Sequence, residues 1–132
     1  MTVAALAGCA GAPQAPSPAS TAGSNTVAVA SLMENARSDA SAGRLANAAA
    51  SMERAIRLAP RNPLLWQELA RLRLKQGEFV QAEHVALRSN SFTRGDANLR
   101  VANWQIIAQA REARGDAEGA RAARELAKRI DY

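Results

Sequence analysis

Two stretches of this chain are written on one plan. WQELARLRLKQGEFVQAE, beginning at Trp66, and WQIIAQAREARGDAEGAR, beginning at Trp104, both open on Trp-Gln. Each has an aliphatic residue three places after the Trp (Leu69, Ile107), followed by alanine (Ala70, Ala108). Glycine comes next, at Gly77 and Gly115, and alanine stands five residues beyond it, at Ala82 and Ala120. A fainter copy precedes both in Leu32, Ala36, Gly43, Ala48, Ala55 and Pro60. The glycines are 34 residues apart from Gly43 to Gly77 and 38 from Gly77 to Gly115. A period of this length marks a unit that buries its apolar face by stacking on its neighbours. Aromatic residues make up only 4% of the chain, so the core is built from small and aliphatic side chains. That composition favours close-packed helices over a sheet, which needs β-branched and aromatic residues.

Within the unit, Trp66, Leu69 and Ala70 fall at i, i+3 and i+4, on one face of a first helix. Gly77 stands where the chain reverses, a position suited to positive φ. Phe79, Ala82 and Ala86 mark the inner face of a second helix, with the alanines permitting close approach. Pro60 ends the preceding helix and Pro63 suits the first turn of the next. This pattern resembles the tetratricopeptide repeat (TPR). The resemblance covers about 29–132 and implies an all-α fold, a short right-handed solenoid of three helix-turn-helix pairs in repeats of about 29–62, 63–96 and 101–132. The expected helices are 27–41 with 45–58, 64–76 with 79–90, and 98–114 with 117–130. Where the repeat consensus places glycine and tyrosine in the first helix, this chain has Ala70 and Arg73, then Ala108 and Arg111. The four additional residues of the third repeat lie in SNSFTRGDAN, Ser89 to Asn98, expected to bulge from the stack. Phe92, its one large apolar residue, either tucks against the helix ends or meets a partner.

The first charged side chain is Glu34. Leu6-Ala7-Gly8-Cys9 resembles the lipobox of bacterial lipoproteins, in which the cysteine thiol accepts the lipid and small residues admit the signal peptidase. The resemblance implies a partial signal peptide at 1–8, lipidation at Cys9 and a location on the periplasmic face of the outer membrane. Ala10 after Cys9 resembles the residue found in lipoproteins sorted to that membrane. A basic n-region is expected upstream of Met1. Ala10 to Thr26 holds Pro13, Pro16 and Pro18 and no large apolar residue. It is expected to form, with Cys9, a disordered tether over 9–26 with a reach of about 50 Å at roughly 3.1 Å per residue.

The net charge of +5 comes from 17 basic and 12 acidic residues interleaved from Glu34 onward. Such a surface is either simply solvated or meets an acidic partner; a periplasmic location leaves no nucleic acid to bind. No apolar run is long enough to span a membrane, so membrane contact is expected through the lipid anchor only. His84 and Cys9 stand 75 residues apart, which suggests neither a metal site nor a nucleophile–base pair. His84 reads as a solvated or half-buried helical residue. Glu53–Arg57 and Glu125–Arg129 read as helix-surface pairs. There is no phosphate loop and no nucleophile elbow. A non-enzymatic protein is expected, with no cofactor and no small-molecule substrate.

TPR arrays line a concave face with their first helices. On the resemblance, the residues exposed there are Met33 and Arg37, then Gln67, Arg71 and Lys75, then Gln105, Gln109 and Glu112. Arg37 and Arg71 stand 34 residues apart and form a basic ladder for acidic side chains, or are simply solvated. The set lacks the Lys/Asn clamp of TPR modules that hold C-terminal carboxylates. The layout of lipobox, tether and three repeats, with the runs AEHVALRSNSF and NWQIIAQAR, resembles the LpoP-type activators of class A penicillin-binding proteins. The resemblance implies an adaptor that docks on the periplasmic domain of an envelope enzyme, a peptidoglycan synthase, and stimulates it. A pilotin-like lipoprotein assisting a secretin or pilus component is the alternative. Mass spectrometry of the mature N-terminus should find acylated Cys9 as its first residue; an unmodified Cys9 behind an intact Met1 would remove the anchor.

Overall fold

A computed structural model describes residues 18–130, with Gly11, Pro13 and Ala15 ahead of them. Six helices follow one another: α1 (Pro18–Ser41), α2 (Leu45–Leu58), α3 (Pro63–Lys75), α4 (Phe79–Asn90), α5 (Ala97–Ala113) and α6 (Ala117–Ile130). They pack as the antiparallel pairs α1/α2, α3/α4 and α5/α6, with α2 against α3 and α4 against α5. Among the described residues there is no strand. The fold is an all-α solenoid.

The turn inside each pair is one structure made three times. Gly43, Gly77 and Gly115 adopt φ of 79°, 77° and 83°, a region that admits glycine without a Cβ penalty. The amide after each glycine reaches back to the last helical turn: Arg44 N to Asp39 O at 2.8 Å, Glu78 N to Arg73 O and Asp116 N to Arg111 O at 2.9 Å. The glycine amides bond to Ala40, Leu74 and Glu112 carbonyls. This is the Schellman arrangement, which satisfies carbonyls that a helix end leaves open. The turns between pairs are individual. Asn62 Oδ1 accepts from Leu64 N at 3.1 Å with Pro63 in the first turn, and Asp96 Oδ1 accepts from Leu99 N at 3.1 Å.

The core lies between the layers and is largely aliphatic. One cluster joins Val29 and Leu32 of α1, Met52 and Ile56 of α2, and Leu65, Leu69 and Leu72 of α3. The other joins Ala70, Ala86, Ile106, Ile107, Ala108 and Ala123 across α3 to α6, and Val85 packs against both. Ala48, Ala55, Ala70, Ala82, Ala86, Ala110, Ala120 and Ala123 are all fully buried. Small side chains at these positions let helix backbones come close, as the sparse aromatic content requires.

The expected helices stand within one residue of the observed ones, except the first. The tether expected to run to Thr26 gives way to helix at Pro18. Composition tests whether a segment can bury surface, but a helix already nucleated by packing at Val29 and Leu32 extends outward without burial. Pro18 suits the start, since its fixed φ fits the first turn. The expected signal segment 1–8 and Cys9 lie outside the described residues. The 89–98 segment does not bulge loosely: Ser89 and Thr93 are buried. Because Ala86 is fully buried between layers, Ala86→Leu should destabilise the domain by about 1–3 kcal/mol through overpacking, read as a lower urea midpoint at unchanged slope.

Candidate functional site

α1 and α3 are the first helices of successive repeats, yet they stand apart and leave a groove between them. Its volume is about 370 Å³. Met33, Ala36 and Arg37 of α1 form one wall, and Glu68, Arg71, Leu72 and Lys75 of α3 form the other. Met52 of α2 contributes from the layer beneath. The apolar part is made by Met33, Ala36, Met52 and Leu72; the charged part is made by Arg37, Arg71, Lys75 and Glu68. Arg71 Nη1 donates to Glu68 Oε1 at 2.7 Å, and Arg37 lies 3.7 Å from Glu34. Both pairs are solvent-exposed and worth little to stability, so an incoming carboxylate can exchange with them at small cost. Lys75 has no carboxylate within ion-pair distance among the described residues.

Met33, Arg37, Arg71 and Lys75 of the expected concave set thus line one groove. The other four do not. Gln67, expected to be exposed, is buried at 3%. Its Nε2 donates to Asn103 Oδ1 at 3.0 Å and to the Leu99 carbonyl at 3.2 Å. The physical reason is the neighbour: α3 packs directly against α5 here, whereas Met33, one period earlier, faces the gap between α1 and α3. Gln105 and Gln109 are exposed on α5 but outside the groove. Glu112 pairs with Arg124 of α6. Phe92 is tucked against the helix ends, its ring 6.5 Å from that of Trp66, with the Arg88 guanidinium 4.9 Å from Phe92 and 5.7 Å from Trp66. Trp66 Nε1 donates to the Pro60 carbonyl at 2.8 Å.

Behind the groove lies a polar network that repeat spacing did not reveal. Asn103 is fully buried. Its Nδ2 donates to Ser89 Oγ at 2.8 Å and Asn90 Oδ1 at 2.9 Å, and Ser89 Oγ donates to the Pro63 carbonyl at 2.8 Å. The network ties α3, the end of α4 and α5 together. The clue was a polar residue, Asn103, inside a stripe otherwise apolar from Leu99 to Ile107. Arginine at the consensus tyrosine position is likewise structural. Arg73 pairs with Glu53 of α2 and with Glu78, and Arg111 pairs with Glu83 of α4 at 2.7 Å. Glu53 therefore turns to Arg73 rather than Arg57, and Glu125 pairs with Lys128 rather than Arg129. Both times a donor other than the expected i,i+4 partner takes the carboxylate. His84 is exposed. Among the described residues, no group of His, Cys, Asp or Glu assembles to hold a metal, and no helix is long and apolar enough to cross a membrane.

Comparison with known proteins places this geometry. Residues 39–103 match the tetratricopeptide-repeat family model. No curated protein matches the chain. Among solved structures, the globular C-terminal domain of LpoP from P. aeruginosa is similar at 46% sequence identity and a TM-score of 0.74, over 76% of this chain and 94% of that domain. The chain belongs to the LpoP family of TPR proteins. An LpoP-like TPR domain is a fold of the protein-interaction class.

In this LpoP-like domain, Asn103→Leu should cost about 1–3 kcal/mol, because Ser89 and Asn90 lose a buried donor. Exposed Gln105→Leu should change stability by no more than about 0.5 kcal/mol. Thermal denaturation of the two variants checks the contrast.

Proposed function

We propose that the chain is an outer-membrane-anchored periplasmic adaptor that binds a class A penicillin-binding protein and stimulates its peptidoglycan synthase activity by protein contact. The observation that carries this reading is the likeness to the LpoP domain, which extends over almost the whole of that domain at 46% identity. Cys9 is the lipid attachment point in this reading, and the segment up to α1 is the leash. The groove between α1 and α3 supplies the contact. Its apolar lining at Met33, Met52 and Leu72 takes an aliphatic side chain of the partner, and Arg37, Arg71 and Lys75 take acidic side chains beside it. A volume of about 370 Å³ suits a short segment or one turn of a partner helix, not a long peptide. Gln105 and Gln109 extend the contact along α5. Glu112 and Phe92 are engaged within the domain and lie outside it.

The test is stimulation of a purified synthase by the purified chain. Arg71→Glu should raise the half-maximal concentration roughly tenfold by turning an attraction into a repulsion. Unchanged stimulation by that variant would move the contact off the groove. Affinity capture from envelope membranes should recover a peptidoglycan synthase; recovery of a secretin instead would overturn the reading.

A further inference from the structure

Among the described residues, most of the positive charge without an ion-pair partner lies at one end of the solenoid. Alternation of the helices puts the start of α1, the α2–α3 and α4–α5 turns and the end of α6 together, opposite the three Schellman turns. Contacts agree with this placement. Ala22 and Thr26 of α1 line one groove with Leu58, Ala59 and Asn62, and Ser89 bonds to Pro63. Toward the Schellman end most charges are paired, Asp39 with Arg44, Glu78 with Arg73, and Glu83 with Arg111 and Arg114, and the unpaired Lys75 and Arg121 are balanced there by Asp116 and Glu118. At the other end, Arg57, Arg61, Arg88, Arg94, Arg100 and Arg129 have no ion-pair partner among the described residues. Asp96 is the acid placed among their turns, and its Oδ1 is taken by Leu99 N. Glu125 pairs with Lys128.

Two further features accompany the arginines. Leu58 and Leu64 are exposed at 38% and 36%, flanking the α2–α3 turn. Trp66 and Phe92, half-buried, lie beneath Arg88. Arg94 also has φ of 47°, a conformation that costs a non-glycine residue energy and is retained where its surroundings hold it.

We propose that this end of the domain docks on an anionic phospholipid surface. Guanidinium groups fork onto phosphate oxygens, and basic residues beside a membrane add attraction one by one. Aliphatic side chains among them enter the interfacial layer. A folded acidic protein would require each desolvated guanidinium to meet an acceptor at a fixed place. These arginines instead sit on two turns and four helix ends, which suits a fluid array of phosphates. The chain also reaches α1 from this end. The inference goes beyond the proposed activation and needs no acyl chain, so vesicle binding is measured on the unlipidated chain without synthase.

The full unlipidated chain is sedimented with vesicles of phosphatidylglycerol and phosphatidylethanolamine, and separately with vesicles of phosphatidylcholine. It should partition onto the anionic vesicles alone and be released by high salt. Combined Arg61→Glu, Arg94→Glu and Arg100→Glu should lower partitioning about a hundredfold, with an unchanged circular dichroism spectrum. Arg121→Glu, on exposed α6 away from this end, should leave it unaltered. Absence of binding, or equal loss from Arg121→Glu, would overturn the proposal. So would a triple variant that still binds vesicles. If the chain ignores vesicles while the triple variant no longer stimulates the synthase, the end belongs to an acidic protein partner and the membrane proposal fails.

Discussion

Asn103 is the point at which the second and third repeats are joined. It is fully buried, and an amide in that position must satisfy its hydrogen bonds or cost the fold the desolvation of each unmet group. Its carbonyl accepts from Gln67, and its nitrogen donates to Ser89 and Asn90. Those partners come from α3 and the end of α4, so the side chain fixes the approach of α5 to both at once. Apolar alanine contacts are non-directional and tolerate sliding. A satisfied amide network specifies one register, which an alanine-lined interface needs more than a core of interlocking aromatics would.

The open groove follows from the same contrast. α3 and α5 are drawn together by the Gln67–Asn103 bond, while among the described residues α1 and α3 share no such bond. Met33 occupies the place one period before Gln67, and a thioether cannot pull a neighbouring helix in by hydrogen bonding. The first and second repeats are held instead through α2, by Met52 and Ile56 and by the Glu53–Arg73 pair. The result is an asymmetry: one side of α3 is committed to the fold, and the other lines the open groove.

The repeat and its helices were legible because apolar spacing and glycine placement are local properties of the chain. The positions at Gly43, Gly77 and Gly115 demand positive φ whatever packs around them. Legibility ended where an outcome depends on a distant neighbour. Gln67 and Arg71 look alike by spacing, yet α5 covers Gln67 and solvent reaches Arg71. Glu53 has an acceptable partner four residues on in Arg57, but Arg73, 20 residues away, takes it. Residues 18–26 are not legible as helix in the sequence for a related reason. Their composition offers nothing to bury, and their structure is borrowed from the packed part of α1.

The α4–α5 turn is two residues longer than the α2–α3 turn, six against four, and it carries Phe92, Arg94 and Asp96. Asp96 caps α5 and so sets where Asn103 falls on it. Phe92 returns to stack on Trp66 under Arg88, an aromatic and cation contact worth about 0.5–1.5 kcal/mol. A left-handed Arg94 costs about 1–2 kcal/mol, a comparable amount. The turn is therefore held in a conformation that a floppy insertion would not keep. It presents Arg94 outward beside Arg88 and Arg100, at the end of the solenoid from which α1 begins. A single lengthened turn thereby helps close one inter-repeat seam and adds Arg94 to the arginine-rich end of the domain.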